Sequence, residues 1–305
     1  MSFELTILGS GSASPTPDRF ASSQFLNFAN HYILIDCGEG SQIQMMRFGV
    51  KSFKVDMIFI SHLHPDHYLG LPGFISSLGL KGRMEPLDIY CPVGLKEILE
   101  VQFQFGEVHL GYEIRYHVFA EEVENVEFED QYLKIYSFPL NHRVTCRGFL
   151  FQEKKSVRKI NKPANSEVKL PNESYPVLRS GHDFTDKTGK VWEFEKYTLP
   201  NEEPFSYMYI TDTTYLPELA EQLSRYKVHT LYHEATFLDE LKDKAKITCH
   251  STAKEAAEFA VKAGVKRLIL GHFSSRYKDL EPLLNEAREL FGEVFLATDG
   301  AGFEV

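Results

Sequence analysis

The segment Ser61-His62-Leu63-His64-Pro65-Asp66-His67 places three imidazoles and one carboxylate close together, directly after the apolar stretch VDMIFI. The apolar stretch predicts a buried strand, and the segment after it predicts a loop that enters a helix. In an extended loop His62 and His64 point to one side, whereas Asp66 and His67 turn toward a neighbouring position. Without a metal these groups would be crowded and unpaired. The segment therefore predicts a loop that serves two adjacent metal ions.

Three further polar residues each follow an apolar stretch of the chain. His142 comes after LKIYSFPLN, Asp212 after SYMYIT and His272 after KRLILG. Taken singly, each is more simply explained as a turn residue or a helix cap. The carboxyl ends of strands in an α/β sheet gather at one edge, however, and a two-metal site needs additional ligands. Together with the histidine-rich loop, these residues are candidate ligands, and the Asp212 carboxylate is suited to bridge two ions.

Along the chain, stretches with the apolar pattern of a strand alternate with stretches that have the apolar pattern of a helix, which predicts an α/β layered fold. The strands are expected at Phe3 to Leu8, His31 to Asp36, Val55 to Ser61, Tyr132 to Phe138, Tyr207 to Ile210, Thr230 to Tyr232 and Arg267 to Leu270. Helices are expected at Leu69 to Leu80, Gly94 to Phe105, Thr252 to Ala263 and Leu280 to Phe291. Thr252 followed by Glu255 predicts a capping box, which leaves His250 in the loop before a helix.

Composition limits the protein classes that the chain can belong to. Its 305 residues are 43% hydrophobic, which is enough for a large core. With 33 Lys+Arg against 43 Asp+Glu the net charge is −10, which excludes a general binder of nucleic acid or of anionic membranes. Four widely separated cysteines exclude a thiolate metal cage and favour reduced thiols. No apolar run is long enough to span a membrane and no leader is visible, so we expect a soluble, cytoplasmic protein.

The stretch from Glu153 to Pro204 differs from the rest of the chain. Basic residues cluster in its first third, Pro, Asn and Ser punctuate it, and it has few long apolar runs. About fifty poorly packed residues inside a compact domain are typical of a functional excursion. Since no shift in composition divides the chain further, we expect one domain over residues 1–305 that carries an inserted arm at 153–204.

Motifs along nearly the whole chain resemble, in order, those of the ribonuclease Z family of the metallo-β-lactamase superfamily. They are Leu8 to Pro15 (LGSGSASP), Ile35 to Gln42 (IDCGEGSQ), the metal loop with His67 to Gly73 (HYLGLPG), Thr211 to Thr213 (TDT), His233 to Phe237 (HEATF), His250 to Thr252 (HST) and Gly271 to Tyr277 (GHFSSRY). The histidine-rich loop alone indicates only the superfamily. The HEAT, HST and SSRY segments together indicate this branch.

The resemblance implies a fold and a metal centre. The fold is an αββα sandwich, and the centre holds two zinc ions per chain. One ion would be bound by His62, His64, His142 and Asp212, and the other by Asp66, His67, His272 and the same Asp212. Zinc accepts imidazole and carboxylate, and a zinc pair can activate water and hold the phosphoryl oxygens of an in-line displacement. Manganese is possible at such a site as well.

The resemblance also implies an activity, which is removal of the 3′ end of precursor tRNA by a homodimer. Asp66 would be the general base, and His250, held charged by Glu234, would be the general acid that protonates the leaving ribose 3′ oxygen. The residues expected to contact the substrate are Ser274 and Arg276 near the metals, and Lys154, Lys155, Arg158 and Lys159 in the arm.

The chain departs from the family pattern at three places. Leu170 to Val177 (LPNESYPV) stands where a Gly-Pro motif of the arm is expected, and Gly-Pro is missing. Gly271 replaces a threonine before the metal histidine, and Ser10 replaces a threonine in the first turn. Two alternatives therefore stay open, namely a metal-dependent phosphodiesterase or other hydrolase of the same fold acting on a smaller substrate, and a metal-free RNA-binding protein.

Overall fold

The computed structural model describes residues 3–28, 31–120, 124–154, 158–161, 169–200 and 204–304. The strands are β1 (Phe3–Gly9), β2 (Ser23–Phe28), β3 (His31–Cys37), β4 (Met57–Phe59), β5 (Leu87–Cys91), β6 (Ile114–Val118), β7 (Asn125–Glu129), β8 (Leu133–Leu140), β9 (Cys146–Glu153), β10 (Phe184–Thr185), β11 (Val191–Trp192), β12 (Ser206–Ile210), β13 (Thr230–Glu234), β14 (Arg267–Gly271), β15 (Val294–Leu296) and β16 (Gly302–Glu304). The helices are α1 (Ser41–Arg47), α2 (Pro65–Tyr68), α3 (Leu71–Leu80), α4 (Leu95–Phe105), α5 (Ser174–Arg179), α6 (Phe194–Tyr197), α7 (Pro217–Leu223), α8 (Lys242–Thr248), α9 (Ala253–Ala263) and α10 (Glu281–Arg288).

Two seven-stranded sheets form the frame of the larger part of the molecule. The first has the order β16-β1-β2-β3-β4-β5-β6, and the second has the order β15-β14-β13-β12-β9-β8-β7. Strands β3 to β6 run parallel in the first sheet, and β12 to β15 run parallel in the second. The carboxyl ends of neighbouring parallel strands therefore lie at a common edge, where polar residues that follow the strands can meet.

The layers follow from where the apolar side chains point. Between the sheets lies an aromatic layer, in which Phe59 of β4 lies 5.3 Å from Phe149 and 5.5 Å from Phe151 of β9, measured between ring centroids. One apolar cluster joins the first sheet to α1, α3 and α4, and another joins the second sheet to α7, α9 and α10. The order helix, sheet, sheet, helix is the sandwich that the family resemblance implies.

Local signals explain several element boundaries. The capping box predicted at Thr252 is present, since the Thr252 hydroxyl accepts a hydrogen bond from the Glu255 backbone and the Glu255 side chain bonds the Thr252 backbone. The helix expected from Leu69 to Leu80 is present as α3, which begins two residues later than expected, at Leu71. The Gly70 backbone before it donates a hydrogen bond to the Cys37 carbonyl at 2.9 Å, and the chain passes so close here that a Cβ on Gly70 would lie 2.2 Å from the Gly38 carbonyl oxygen.

The chain divides into two compact units, one of residues 1–129, 134–151 and 205–305, and the other of residues 130–133 and 152–204. The second unit has a small core of its own, made of Leu170, Leu178, Trp192 and Tyr197. For the described residues, the expected poor packing of this segment is therefore wrong. Its few aromatic side chains are too scattered in sequence to give a period, yet each buries a large area. None of the helices in the described ranges is long and apolar enough to cross a membrane.

Candidate metal centre

The first group of candidate ligands gathers around the loop after β4. His64 occupies the N-cap position of α2 with an extended backbone, which lets it share a side with His62. Its Nδ1 lies 3.0 Å from Nε2 of His62 and 3.1 Å from Nε2 of His142. Oδ2 of Asp212 lies 3.7 Å from the His62 nitrogen and 3.6 Å from the His142 nitrogen. Four ligand atoms from three parts of the chain thus surround one point.

The second group lies beside it and is more deeply buried. Asp66 and His67 belong to the first turn of α2, and His272 follows β14 in a left-handed backbone conformation. Nε2 of His67 lies 3.4 Å from Asp66 Oδ2, and Nε2 of His272 lies 3.6 Å from the same oxygen. Oδ1 of Asp212 lies 3.4 Å from the His67 nitrogen and 3.0 Å from the His272 nitrogen. The two oxygens of Asp212 therefore face different groups.

The spacing and the unmet bonding capacity of these atoms fit metal ions. In a tetrahedral zinc site with bonds of about 2.0–2.1 Å, neighbouring ligand atoms are about 3.3 Å apart, close to the distances within both groups. Among the described residues, the buried Nε2 atoms of His67 and His272 have no hydrogen-bond partner. Within each group the ligand atoms lie within 4.8 Å of one another, in the sets His62, His64, His142 and Asp212 and Asp66, His67 and His272. A third set of the same spacing joins Asp212 and His272 to His250.

Electrostatics favour positive charge at the same place. Although burial opposes ionisation, the surrounding imidazoles hold the pKa of Asp212 well below its usual range. Although burial opposes protonation, Asp66 and Asp212 raise the pKa of His67 well above its usual value. The carboxylates thus stay ionised, and their negative charge favours a proton on the neighbouring ring. A metal cation would balance the same negative charge.

Outer hydrogen bonds aim the imidazoles at the two groups. His67 Nδ1 lies 2.7 Å from Asp36 Oδ2, and His142 Nδ1 lies 2.9 Å from the Cys249 carbonyl oxygen. His272 Nδ1 lies 3.0 Å from the Thr236 hydroxyl. With each Nδ1–H donating outward, each Nε2 presents a lone pair to the cluster, which is how metal-binding histidines are normally held.

Asp36 is a positioning residue that sequence reasoning did not identify. It lies at the end of β3 with a left-handed backbone and is fully buried. Besides His67, its carboxylate accepts hydrogen bonds from the Ser61 backbone at 2.7 Å, the Ser61 hydroxyl at 2.8 Å and the Tyr209 hydroxyl at 2.7 Å. The IDCGEGSQ segment marked this aspartate as part of a motif, but its partners are distant in sequence. Only the fold shows that its carboxylate is hydrogen-bonded to Ser61 and His67 of the histidine-rich loop.

His250 and Glu234 form a second buried pair next to the ligands. His250 Nδ1 lies 2.9 Å from Glu234 Oε1, and the glutamate is fully buried at the end of β13. Glu234 also accepts hydrogen bonds from the Thr213 backbone at 2.9 Å and the Thr236 hydroxyl at 2.6 Å. Although burial opposes a charged ring, Glu234 raises the pKa of His250 to about 9. The charged form of the imidazole is thereby favoured.

An open cavity of about 420 Å³ gives access to the ligands and to His250. Its lining consists of Ala13, His64, Pro65, Asp66, His142, Arg143, Asp212, Thr248, His250 and His272. Arg143 is exposed and donates a hydrogen bond to the Ile247 carbonyl at 3.2 Å. Sequence reasoning did not single out this arginine, whose only signal is its position directly after His142. It places a positive charge at the rim of the cavity.

The two residues expected to contact substrate near the metals lie outside this lining. Arg276 is exposed, and its Nε donates to the Ser274 hydroxyl at 3.0 Å. Its guanidinium also lies over the Phe237 ring, 5.0 Å from the centroid. Substrate contact by these residues stays a prediction.

Gly271, one of the departures from the family pattern, has a packing reason. A Cβ at this position would lie 2.2 Å from the hydroxyl oxygen of Tyr232. Tyr232 is almost fully buried on the neighbouring strand β13. The space that a threonine side chain needs is therefore taken by the tyrosine, and the ligand His272 still follows the strand directly.

The basic residues of the second unit are partly engaged within that unit. Lys154 Nζ donates to the Asp130 carbonyl at 2.7 Å. Arg158 Nε donates to the Thr198 hydroxyl at 2.6 Å, and its guanidinium lies 4.8 Å from the centroid of the Phe194 ring. Lys159 is exposed, and Lys155 lies outside the described residues. A role for these four residues in RNA binding stays a prediction.

Known proteins similar to this chain cover nearly its full length. A ribonuclease Z of Bacteroides fragilis is 41% identical over 297 residues, 97% of this chain and 97% of the relative. A ribonuclease Z of Porphyromonas gingivalis is 40% identical over 297 residues, again 97% of this chain and 97% of the relative. The crystal structure of the short form of human tRNase Z is similar with a TM-score of 0.71 and 28% identity, over 98% of both chains.

Two more distant similarities concern the fold. The metallo-β-lactamase fold protein YhfI of Bacillus subtilis matches with a TM-score of 0.69 and 18% identity, over 100% of both chains. The family described as Anti-Pycsar protein Apyc1 matches residues 3–123, which include the metal loop. The predicted α/β fold of the metallo-β-lactamase type is confirmed by these structures.

Proposed function

Because the chain belongs to the ribonuclease Z family, we propose that it is a metal-dependent endoribonuclease that removes the 3′ trailer of precursor tRNA. Membership confirms the predicted family and the predicted enzyme class, an endoribonuclease. The observation that carries the metal chemistry is the position of Asp212, whose two oxygens face two separate groups of ligands. A shared carboxylate of this kind suits a pair of ions on which a phosphodiester is hydrolysed.

We assign two zinc ions to the site. The first would be held by His62, His64, His142 and Asp212, and the second by Asp66, His67, His272 and Asp212. The donor set of imidazole and carboxylate suits zinc and also accepts manganese. When bound, the pair supplies a water molecule of lowered pKa and positive charge for the phosphoryl oxygens.

Asp66 is the proposed general base. Its carboxylate lines the open cavity although the residue is largely buried. Burial opposes its ionisation, but His67 and His272 hold the pKa of Asp66 well below its usual range. The group is therefore ionised at neutral pH and can accept a hydrogen bond that orients the attacking water. Because bound metal ions would lower the pKa of that water, even a weakly basic carboxylate could take its proton.

His250 is the proposed general acid. The leaving group in RNA hydrolysis is a ribose 3′ oxygen, a strong base that leaves readily only when it is protonated. His250 lines the same cavity as Asp66 and the Asp212 bridge, and Glu234 supports its charged form. The base and the acid thus stand at one cavity, as an in-line displacement requires.

We further propose that the second unit binds tRNA, since a chain with a net charge of −10 needs local positive charge to hold a polyanion. The candidate residues are Lys154, Lys155, Arg158 and Lys159, and the missing Gly-Pro implies a clamp of altered sequence. Deleting residues 153–204 should weaken tRNA binding far more than hydrolysis of a small diester. Equal loss of both would indicate a role in folding instead.

A homodimer and a cytoplasmic location complete the proposal. The outer faces of α1, α3 and α4 carry exposed apolar side chains, including Leu80 (90% exposed) and Phe105 (83% exposed). A surface of this kind commonly marks a protein interface. Sedimentation of the purified chain should give twice the monomer mass. The four cysteines are unpaired, as thiols are in a reducing compartment.

The test of the proposed function uses two substrates, a 3′-extended precursor tRNA and bis(p-nitrophenyl) phosphate, with metal-stripped protein and added zinc or manganese. We expect metal-dependent cleavage of the RNA at the end of the mature sequence, together with slow turnover of the diester. Turnover of the diester alone would favour the hydrolase of a smaller substrate. Binding of tRNA without metal uptake or turnover would favour the metal-free RNA-binding protein.

A further inference from the structure

A second cavity, of about 350 Å³, adjoins the metal cavity, and His250 lines both. The other residues of its lining are Asn141, Thr214, Tyr215, Lys242, Lys246 and Glu255. None of these residues is among the candidate ligands, and the mechanism proposed above uses only His250. The volume lies in the range of about 300–1,000 Å³ that is typical of small-ligand pockets.

One wall of this cavity is fixed to the metal ligands. Asn141 directly precedes His142, and Thr214 comes two residues after Asp212. The Asn141 amide donates to the Thr214 hydroxyl at 3.0 Å, and the Thr214 backbone donates to the Asn141 carbonyl at 3.0 Å. Tyr215 adds an aromatic side chain that packs partly against the core of the second sheet. This wall therefore cannot shift without moving ligands.

The opposite wall is the cationic face of α8. Lys242 and Lys246 are four residues apart, so they lie on one side of the helix. Nζ of Lys242 lies 3.2 Å from Oε1 of Glu255, the residue that completes the capping box of α9. Lys246 differs, because its ammonium group has no hydrogen-bond or ion-pair partner within the described part of the chain. The cavity thus contains one neutralised and one available positive charge.

The end of α8 also sets the distance between this charge and His250. Cys249 has a left-handed backbone, and the His250 backbone donates to the Ala245 carbonyl at 2.8 Å. The histidine is thereby turned back against the last turn of the helix. The end of α8 consequently fixes the positions of Lys246 and of the proposed general acid, His250, relative to each other.

The chemistry of cleavage determines which part of the RNA would lie beside Lys246 and His250. Water gives a proton to Asp66 as its oxygen forms a bond to phosphorus, the bond from phosphorus to the 3′ oxygen breaks, and the proton of His250 goes to that oxygen. Attacking and leaving oxygens lie on opposite sides of phosphorus in an in-line displacement. The ribose that carries the leaving oxygen therefore lies on the side of His250 away from the attacking water. The second cavity adjoins His250 and contains no candidate ligand.

We propose that the second cavity binds the nucleotide whose 3′ oxygen leaves, the last nucleotide of the mature RNA, and that Lys246 binds the phosphate on the 5′ side of this nucleotide. The inference rests on the proposed function, since it concerns the same cut. An ammonium group suits a phosphate, an aromatic ring suits stacking of a base, and an amide suits hydrogen bonds to a base edge. The cavity offers all three, in Lys246, Tyr215 and Asn141.

The experiment compares two precursor tRNAs that differ only at that 5′ phosphate, which is either natural or an uncharged methylphosphonate. For the natural substrate, Lys246→Ala should lower kcat/KM about tenfold, the usual effect of losing one charged hydrogen bond. The methylphosphonate should lower kcat/KM of the unaltered enzyme by a similar factor, and should have little further effect on Lys246→Ala. Such non-additivity identifies a direct contact.

Two variants and a second substrate serve as controls. Lys246→Arg keeps the charge and should restore most of the rate. Lys244→Ala removes a charge from the same helix at a residue outside the cavity lining, and it should cleave like the unaltered enzyme. Turnover of bis(p-nitrophenyl) phosphate should be unchanged in Lys246→Ala, because this diester has no neighbouring phosphate.

The outcomes separate the inference from the function beneath it. If the unaltered enzyme cuts the precursor and Lys246→Ala is just as sensitive to the methylphosphonate, the proposed contact is wrong while the ribonuclease activity stands. If the unaltered enzyme turns over only the small diester, the proposed function fails and the nucleotide site is overturned with it.

Discussion

Two buried carboxylates in this protein each hold a histidine by its Nδ1 atom. Asp36 lies 2.7 Å from His67, and Glu234 lies 2.9 Å from His250. Both carboxylates are fully buried, and both accept further hydrogen bonds from backbone and hydroxyl groups. Up to this point the two pairs are built alike, so the difference between their histidines comes from what the other side of each ring meets.

The Nε2 atom of His67 is enclosed, and it faces two more carboxylates, those of Asp66 and Asp212. The His250 ring is partly exposed and lines two cavities. In the proposed function, the same pairing prepares a metal ligand where the ring is enclosed and a proton donor where the ring opens to a cavity. Another pair, in which Nε2 of His117 lies 2.7 Å from Oδ1 of Asp88, is near the surface and remote from the ligands, which makes it a suitable control.

The largest expected effect comes from Asp212→Ala, which takes one oxygen from each ligand group. We expect loss of most of the bound metal and of turnover of both substrates, because neither group keeps its full set of donors. Metal content by mass spectrometry and diester turnover measure this directly. Asp88→Ala removes a carboxylate remote from the site and should retain both. Full metal content in the Asp212 variant would contradict the ligand assignment.

His250→Ala should separate the two roles most clearly. Metal content should be unchanged, while cleavage of precursor tRNA should slow by about 10²–10⁴-fold, the usual contribution of a general acid. Hydrolysis of bis(p-nitrophenyl) phosphate should change little, because nitrophenolate leaves without a proton. His67→Ala is the matched contrast and should lose metal and both activities. Equal slowing of both substrates by His250→Ala would remove it as the acid.

Asp36→Asn tests the enclosed pair of Asp36 and His67 without changing a candidate ligand. Loss of the charge beside His67 Nδ1 should weaken metal binding at the second group about 10–100-fold, as for other outer partners of metal ligands. Competition against a chelator gives the affinity for each of the two ions. Asp88→Asn, the same change at the exposed pair, should leave both affinities unaltered. An unchanged second affinity in Asp36→Asn would show that the aspartate supports only the fold.

How much of this could be predicted from sequence depends on the range of each signal. The metal loop was visible because four candidate ligands lie within six residues after an apolar strand. Helix α9 begins where the capping box predicts, since that signal spans four residues. Helix α3 begins two residues later than its apolar pattern predicts, because the Gly70 backbone bonds to Cys37, which is distant in sequence. The core of the second unit was missed for a similar reason.

The candidate site shows the same limit. His142, Asp212 and His272 were found as polar residues after apolar strands, and the structure places them beside the metal loop. The partners that aim the imidazoles, above all Asp36, could not be assigned because no local pattern links a carboxylate to a histidine thirty-one residues later. Lys246 and Arg143 resembled ordinary exposed cations in the sequence. Only the cavities distinguish them from the other lysines and arginines.

Glu234→Gln gives the smallest expected effect and the sharpest test of the pair formed by Glu234 and His250. Glu234 raises the pKa of His250, so the neutral amide should lower it. The proton-donating form exists below this pKa and is lost as the pH rises through it, so the basic limb of the pH–rate profile for precursor tRNA should move to lower pH. On that limb the rate falls about tenfold for each unit by which the pKa drops. The substitution keeps the size and shape of the side chain, so the main change at His250 is loss of the Glu234 charge. Metal content should stay unchanged, and the profile for bis(p-nitrophenyl) phosphate should not move. A basic limb that stays in place would mean that the proton comes from another group.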